Sequence, residues 1–479
     1  MRRKRQQGGT DQGDLFDEAL KAVLRHDVTR EGGTGPETRE EPQARTAGDH
    51  ERALTQHLME AVSGSANLDR AYKRVKGNGG APGVDGMTVE ALRDWIATNH
   101  ERLIVSLLDG SYQPQPVRGV SIPKPGGGER QLGIPTVVDR LVQQAITQVL
   151  EPILDPGFSG SSFGFRPGRG AHDALRQAQG YVADGYEIVV DLDLEKFFDR
   201  VNHDILMARL ARRIGDKRLL RIVRRFLQAG MMVNGVCEER PEGTPQGGPL
   251  SPLLANLLLD DLDKELESRG HRFCRYADDC NIYVRSQAAG ERVMASVTAF
   301  LEGKLRLKVN QRKSAVAPVG ERQFLGHRLG KRGNLGIGRK GLDRAKDRLR
   351  EATRRNRGIA LERMVAEANR FIIGWVTYYR DARCRSTLLD LDGWLRRKFR
   401  CVRIKQCKNP STLAAFLQGN GVRERPAHQL ASSGKGWWRL SASEQVKRAM
   451  PNDWFDDLGL VRMAGHHAAL NSVGNRRGT

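Results

Sequence analysis

Two adjacent carboxylates, Asp278 and Asp279, lie between two short apolar runs, Arg272-Phe273-Cys274-Arg275 and Asn281-Ile282-Tyr283-Val284. The pattern predicts a tight β-hairpin with Tyr276-Ala277-Asp278-Asp279 at its tip. Adjacent acids on a turn repel each other and add no stability of their own. They make chemical sense around a divalent cation shared with a third acid. A strand carrying such an acid lies upstream, Val189-Val190-Asp191-Leu192-Asp193-Leu194. Side chains alternate along a strand, so Asp191 and Asp193 share one face while Val190, Leu192 and Leu194 share the other. Taken alone, that segment also reads as an edge strand with solvated acids.

The chain has 479 residues, enough for two or three domains, and its 39% hydrophobic content supports a core. Its net charge is +22. From residue 340 onward there are 29 Lys and Arg against 13 Asp and Glu, so most of the excess lies in the last third. Solubility alone is usually reached with mixed charges. The imbalance points to a polyanionic partner, nucleic acid first. Six cysteines occur without a CxxC pair, which argues against a zinc site. A long chain without a secretory leader argues against a disulfide framework, and a cytoplasmic protein with reduced thiols is expected. No stretch approaches the roughly 18 apolar residues of a membrane helix, so no membrane partner is expected.

Residues 1–50 are poor in large apolar groups and read as a disordered tail, apart from a short helix over 15–24. A helical pattern runs from Thr55 to Val75 and ends in a loop of five glycines and a proline, residues 76–86. A helix over 89–96 follows. Val117 to Pro123 and Gln131 to Ile134 form a hairpin edged by Arg118, Lys124 and Arg130. Helices are expected over 135–150, 202–214 and 291–304, and strands over 187–194, 308–319 and 324–329. Ser251 reads as an N-cap and Pro252 as the first helical residue, with Leu253, Leu254, Leu257, Leu258 and Leu266 as the buried stripe. Beyond 340 the pattern is helical and basic. The fold class is α+β, an antiparallel sheet backed by helices.

Two further segments carry chemistry. Phe198 stands five residues after Asp193, where an aromatic ring can pack on a nucleotide sugar; the plainer reading makes both Phe197 and Phe198 core. Gly243-Thr244-Pro245-Gln246-Gly247-Gly248-Pro249-Leu250-Ser251-Pro252 is a backbone-rich loop in which Gln246 can donate and accept at once. Each motif is weak alone. Their order, basic hairpin, acid strand, Pro-Gln-Gly loop, Asp-Asp hairpin, suits nucleotidyl transfer, which uses two Mg²⁺ roughly 3.5–4 Å apart.

In this order the chain resembles the bacterial group II intron-encoded reverse transcriptases and maturases over about residues 54–420. Asn78-Gly79-Gly80-Ala81-Pro82-Gly83-Val84-Asp85-Gly86 is similar to the family's N-terminal extension. Ile122-Pro123-Lys124 with Arg130 to Pro135, and Phe163-Gly164-Phe165-Arg166-Pro167-Gly168-Arg169, resemble its fingers blocks. Leu307 to Ser314, Phe324-Leu325-Gly326 and Phe371 to Arg380 follow in the family's order. The resemblance implies a right-hand polymerase, with fingers and palm over 51–335 and a helical thumb or maturase domain over 336–422, while Trp437-Trp438-Arg439 and Trp454-Phe455 suggest a small folded DNA-binding segment over 423–479. It implies that Asp193, Asp278 and Asp279 are catalytic and, with the Leu194 carbonyl, hold two Mg²⁺. Lys124, Arg130, Arg166, Phe198, Gln246 and Lys313 would contact the incoming dNTP or template. The implied activity is RNA-directed DNA synthesis from a primer, with intron RNA, template RNA and a DNA primer or target as partners. The protein would also bind its intron RNA to promote splicing, and would support intron mobility by target-primed cDNA synthesis, nucleoid-associated when on target DNA.

The run from Trp394 to Lys405 mixes cations with aromatics at helical spacing. Arg396, Arg397, Lys398, Arg400, Arg403 and Lys405 are the RNA-binding candidates. A thumb helix gripping any template-primer duplex is the competing reading, and both are open. His466, His467 and Asn471 are too sparse for a His-Asn-His nuclease, so no endonuclease is expected. A splicing-only maturase and a reverse transcriptase recruited to phage defence are the alternatives.

Overall fold

The computed structural model describes residues 55–123, 128–233 and 235–475. The expected N-terminal tail with its short helix, and Lys124, lie outside the described residues. The chain forms two compact units, one of residues up to Ala174 together with Ile188–Val316, the other of Leu175–Glu187 together with Ala317 onward.

In the first unit the expected Thr55–Val75 helix is two helices, Leu58–Ser63 and Ser65–Asn78. Gly64 at ψ 135° breaks the run, and buried Asn67 beside the break donates to Ala145 O at 3.0 Å. The helix expected at 89–96 runs Leu92–Leu108. Val137–Leu154 starts after Thr136, whose hydroxyl accepts from the Asp139 N–H. Its stripe of Leu141, Val142, Ala145 and Ile146 is fully buried.

Strands β1 (Val117–Pro123) and β2 (Glu129–Ile134) form the basic hairpin. The acid-bearing strand β3 is Ile188–Leu192. Two short strands that the sequence did not signal, β4 (Met231–Val233) and β5 (Val236–Glu238), extend the first sheet to the order β2-β1-β4-β5. The second sheet contains β6 (Arg272–Tyr276) and β7 (Asp279–Val284), with β8 (Ala315–Pro318), in the order β6-β7-β3-β8. The strand expected at 308–319 is thus much shorter. Asn310 O accepts from both Lys313 N and Ser314 N, which makes a turn of the preceding residues.

The helix behind this sheet is Ser251–Ser268, and the predicted leucine stripe is buried throughout. Ser251 is not its N-cap, however. Its hydroxyl donates to Pro245 O at 2.8 Å, tying down the preceding loop, and Leu250 occupies the cap position. Leu192, Leu254, Leu258, Phe273 and Ile282 belong to one continuous core. Fully burying each such side chain is worth about 1.5–3 kcal/mol.

The second unit opens on a hairpin, β9 (His327–Leu329) with β10 (Leu335–Ile337). The helices Arg339–Ala352, Leu361–Tyr378, Arg385–Gln406 and Pro410–Gly419 follow, then short helices to Asn475. The Tyr378 and Tyr379 hydroxyls donate to Leu325 O and Gly326 O at 2.7 and 3.2 Å, and both rings pack on buried His327. The Phe-Leu-Gly and Tyr-Tyr motifs are therefore two halves of one contact. No helix among the described residues is long and apolar enough to cross a membrane. All six cysteines are free.

Candidate active site

Strand β7 lies between β6 and β3. Its register with β3 pairs Leu192 with Cys280 and Asp191 with Asn281. Carried one residue further, the same register sets Asp193 opposite Asp279, and directly opposed residues point to one face. On the other side Tyr276 pairs with Asp279, leaving Ala277 and Asp278 as a two-residue turn. Ala277 is left-handed, with φ 58°, at a position where glycine is favoured.

The turn keeps that backbone because it is clamped. Arg275, fully buried, donates from Nη1 to Ala277 O at 2.9 Å and to Asn256 Oδ1 at 3.0 Å. Its Nε and Nη2 meet the two Asp263 oxygens at 2.7 and 2.5 Å, and Nη2 also reaches Ser162 Oγ at 2.8 Å. Gly164 presses on the Ala277 amide so closely that any side chain there would collide with it. Its carbonyl accepts from Asn256 at 2.8 Å.

The acids repel one another. Burial pushes the Asp279 carboxyl up to about 8, and Asp191, Asp278 and Asp193 push in the same direction. Asp278 is also raised, by burial and by Asp193, with Arg130 and Arg275 acting against the shift. Asp193 is held by its backbone: its N–H donates to Ser314 Oγ at 3.0 Å and its carbonyl accepts from Asn310 N at 2.8 Å. Its carboxylate meets Lys313 Nζ at 3.3 Å. Among the described residues no three His, Cys, Asp or Glu side chains already form a metal-holding cluster. The donor chemistry nevertheless suits a hard divalent cation: Asp191, Asp278 and Asp193 all act on the buried Asp279 through their charge, and Asp193 already attracts the Lys313 ammonium. Leu194 is buried and bridges to Val309.

Beside the hairpin, a cavity of about 800 Å³ is lined by Gln246, Tyr276, Phe165, Leu132 and the Gly79–Ala81 backbone. Arg140 supports that backbone, donating to Gly79 O and Ala81 O at 3.0 and 2.8 Å. Gln246 O accepts from Gly133 N at 3.0 Å, which joins the Pro-Gln-Gly loop to the basic hairpin. Phe197 is core, whereas Phe198 is half-buried with its ring edge-on to Phe197 at 5.1 Å. The Phe198 carbonyl accepts from Thr244 N at 2.7 Å, and Gly243, at φ 92°, fits where any Cβ would meet Phe198 O at 2.9 Å. Arg130 is exposed on β2 and acts on Asp278 through charge.

Arg166 is tied to its own loop. Its Nε meets Asp155 Oδ1 at 2.6 Å, Nη1 donates to Ser159 O and Ser162 O, and Nη2 donates to Asp155 O. With these donors committed, it folds the loop that carries Phe165 and only walls the cavity. Phe165, at φ 56° and 54% exposed, has its ring 6.3 Å from that of Tyr276. Sequence reasoning missed Phe165, Ser314 and Arg275. Only Arg275 left a signal, as a charge inside an apolar strand that demands a buried partner.

Beneath the Gly243 loop, His203 lies 2.6 Å from Gly243 O, and burial holds its imidazole below the ordinary 6.5. A lowered folded pKa means that the folded state binds fewer protons. The His203 contribution is therefore complete above 6.5 and lost as pH falls through the folded value. We expect the unfolding midpoint to drop on acidification below about pH 6.5, by no more than about 1.4 kcal/mol per unit from this group. A His203→Gln variant should drop less; equal slopes in a pH-resolved denaturation series would contradict this.

The basic helix Arg385–Gln406 packs several of its cations within the protein. Arg397 stacks 3.8 Å over Trp438 and donates to its carbonyl at 3.0 Å. Arg400 donates to Met450 O and lies over Phe455, and Arg403 lies over Phe416. These three cations anchor the following helices, because aromatic faces and free carbonyls there offer partners that sequence spacing cannot reveal. Lys398 sits 5.9 Å over Trp394. Arg396 is half-buried, and Lys405 is exposed.

An antiparallel sheet that sets an acid strand against an Asp-Asp hairpin, beside a Gln-bearing loop, defines a palm-type nucleotidyltransferase. The family model for reverse transcriptase (RNA-dependent DNA polymerase) matches residues 122–329, and that for the group II intron maturase-specific domain matches 342–418. Protein YkfC of Escherichia coli is 34% identical over 315 residues, covering 57% of this chain and 83% of that protein. The group II intron-encoded protein LtrA of Lactococcus lactis is 38% identical over 195 residues, 40% of this chain and 32% of LtrA. A solved Cas6-RT-Cas1–Cas2 complex is 28% identical, with a TM-score of 0.34, over 52% of this chain and 43% of that one. The chain belongs to the bacterial group II intron-encoded reverse transcriptase and maturase family.

Proposed function

We propose that this protein copies RNA into DNA from a primer 3′-hydroxyl at the Asp193, Asp278 and Asp279 cluster, and that it binds its intron RNA to promote splicing. The observation that supports this reading is the β3–β7 register, which pairs Leu192 with Cys280 and Asp191 with Asn281 and, carried one residue on, would bring Asp193 toward Asp279. Asp193, Asp278 and Asp279, with the Leu194 carbonyl, would hold two Mg²⁺. When bound, the pair would neutralise charge on the attacking hydroxyl and the leaving pyrophosphate. Asp193 would exchange its Lys313 contact for the metals, leaving Lys313 beside the triphosphate. Arg130, whose charge acts on Asp278, would contact the incoming dNTP or template, and so would Lys124. Gln246 would hold the nascent base pair, and the half-buried Phe198 ring would meet the sugar of the incoming dNTP. Catalysis on this plan is mostly positioning and neutralised charge.

We read residues 51–335 as fingers and palm, 336–422 as thumb, and 423–479 as a DNA-binding segment, with template RNA and a DNA primer or target as partners. The test is primer extension by the full chain on an RNA template with dNTPs and Mg²⁺. Extension that stops on chelation is expected; its absence, or synthesis restricted to DNA templates, would overturn the reading. Splicing of an intron precursor in the presence and absence of the protein tests the second activity.

A further inference from the structure

We propose that a cavity in the second unit, apart from the acid cluster, is a ribonucleotide-binding site that grips backbone phosphate and reads the 2′-hydroxyl. The cavity has a volume of about 700 Å³, and its lining includes Arg176, Arg380, Arg383, Arg385, Asp381 and His467. Arg380, Arg383 and Arg385 crowd this concavity against the single Asp381 carboxylate, and the excess positive charge favours an added anion. Arg383 and Arg385 are exposed, and neither has an ion-pair partner among the described residues. Arg380 comes only within 3.8 Å of Asp381.

The floor is fixed. Arg383 N donates to Leu335 O at 2.7 Å, and Ala382 O lies 3.1 Å from Nε2 of the buried His467. The helix Arg385–Gln406 begins here with no side-chain cap, so its first N–H groups add to the positive potential. One feature does not fit a bare phosphate. Oδ2 of Asp381 is buried and has no hydrogen-bond partner among the described residues. A buried carboxylate oxygen among cations is an acceptor awaiting a donor. A hydroxyl adjacent to a phosphodiester supplies one, and in nucleic acids that group is the ribose 2′-hydroxyl, which separates RNA from DNA.

The inference rests on the nucleic-acid-binding reading of the chain, but its test uses neither primer nor nucleotide, so either can fail alone. The full-length protein is treated with phenylglyoxal in the presence of an unstructured RNA oligomer or the DNA oligomer of the same sequence. Modification of Arg383 and Arg385 is read by peptide mass. RNA should protect both arginines at about tenfold lower concentration than DNA, the worth of one hydrogen bond to a charged acceptor. Asp381→Ala should bring the two concentrations together without weakening protection by DNA. Arg383→Ala with Arg385→Ala should make the salt dependence of RNA affinity shallower by about 1.4 in log–log slope, roughly 0.7 for each phosphate no longer neutralised. Absence of protection at saturating RNA, equal protection by RNA and DNA in the wild type, or an unchanged salt slope would overturn the proposal.

Discussion

Asp278→Asn is expected to reduce RNA-templated DNA synthesis by at least about a thousandfold while leaving the unfolding midpoint unchanged or raised. The two halves have opposite physical origins. Metal-assisted stabilisation of charge in the transition state is worth several kcal/mol, and each 1.36 kcal/mol is tenfold in rate. Asparagine keeps the shape but gives up the charge that would hold a cation. For the stability of the fold by itself that charge is a burden: burial raises the Asp278 carboxyl, and Asp193 adds repulsion. Removing it relieves both. Single-turnover extension and chemical denaturation on the same preparation separate the outcomes. A variant that loses synthesis and stability together would point to a structural role for Asp278, and one that keeps synthesis would remove the acid cluster from the chemistry.

Arg275→Met should destabilise the first unit by about 3–5 kcal/mol, the cost of stranding one member of a buried ion pair. Arg275 and Asp263 are both fully buried and meet at 2.5 Å. With the guanidinium gone, Asp263 is left without its counter-charge and Ala277 O loses a partner beside a left-handed residue. Arg275→Lys should not rescue it, since one ammonium cannot serve Asp263, Asn256, Ser162 and Ala277 together. Replacing both partners, Arg275→Met with Asp263→Leu, should recover part of the lost stability while synthesis stays low, because the turn presenting Asp278 and Asp279 remains unclamped. Denaturant midpoints of the three variants decide the matter. A loss under about 1 kcal/mol in Arg275→Met would mean that the pair is not a fixed part of the hairpin.

The acids, the leucine stripe behind them and the basic hairpin were legible in the sequence because each is written in local spacing. Alternation placed Asp191 and Asp193 on one face, and the β1–β2 hairpin lies close to its expected bounds. Strands β4 and β5 were not legible, being three residues each, with β4 held by a strand more than a hundred residues upstream. Ser251 carried a cap signature, yet its hydroxyl found a carbonyl six residues back.

The cations divide most sharply. Composition fixed their number and their concentration in the last third, and hence the class of partner, because net charge survives any folding. It could not show that Arg166, Arg397, Arg400 and Arg403 also hold the protein's own carbonyls and rings. A guanidinium reads the same in sequence whether it faces phosphate or a carbonyl. Which of the two it meets depends on contacts between residues far apart in the chain, and those exist only once the chain has closed on itself.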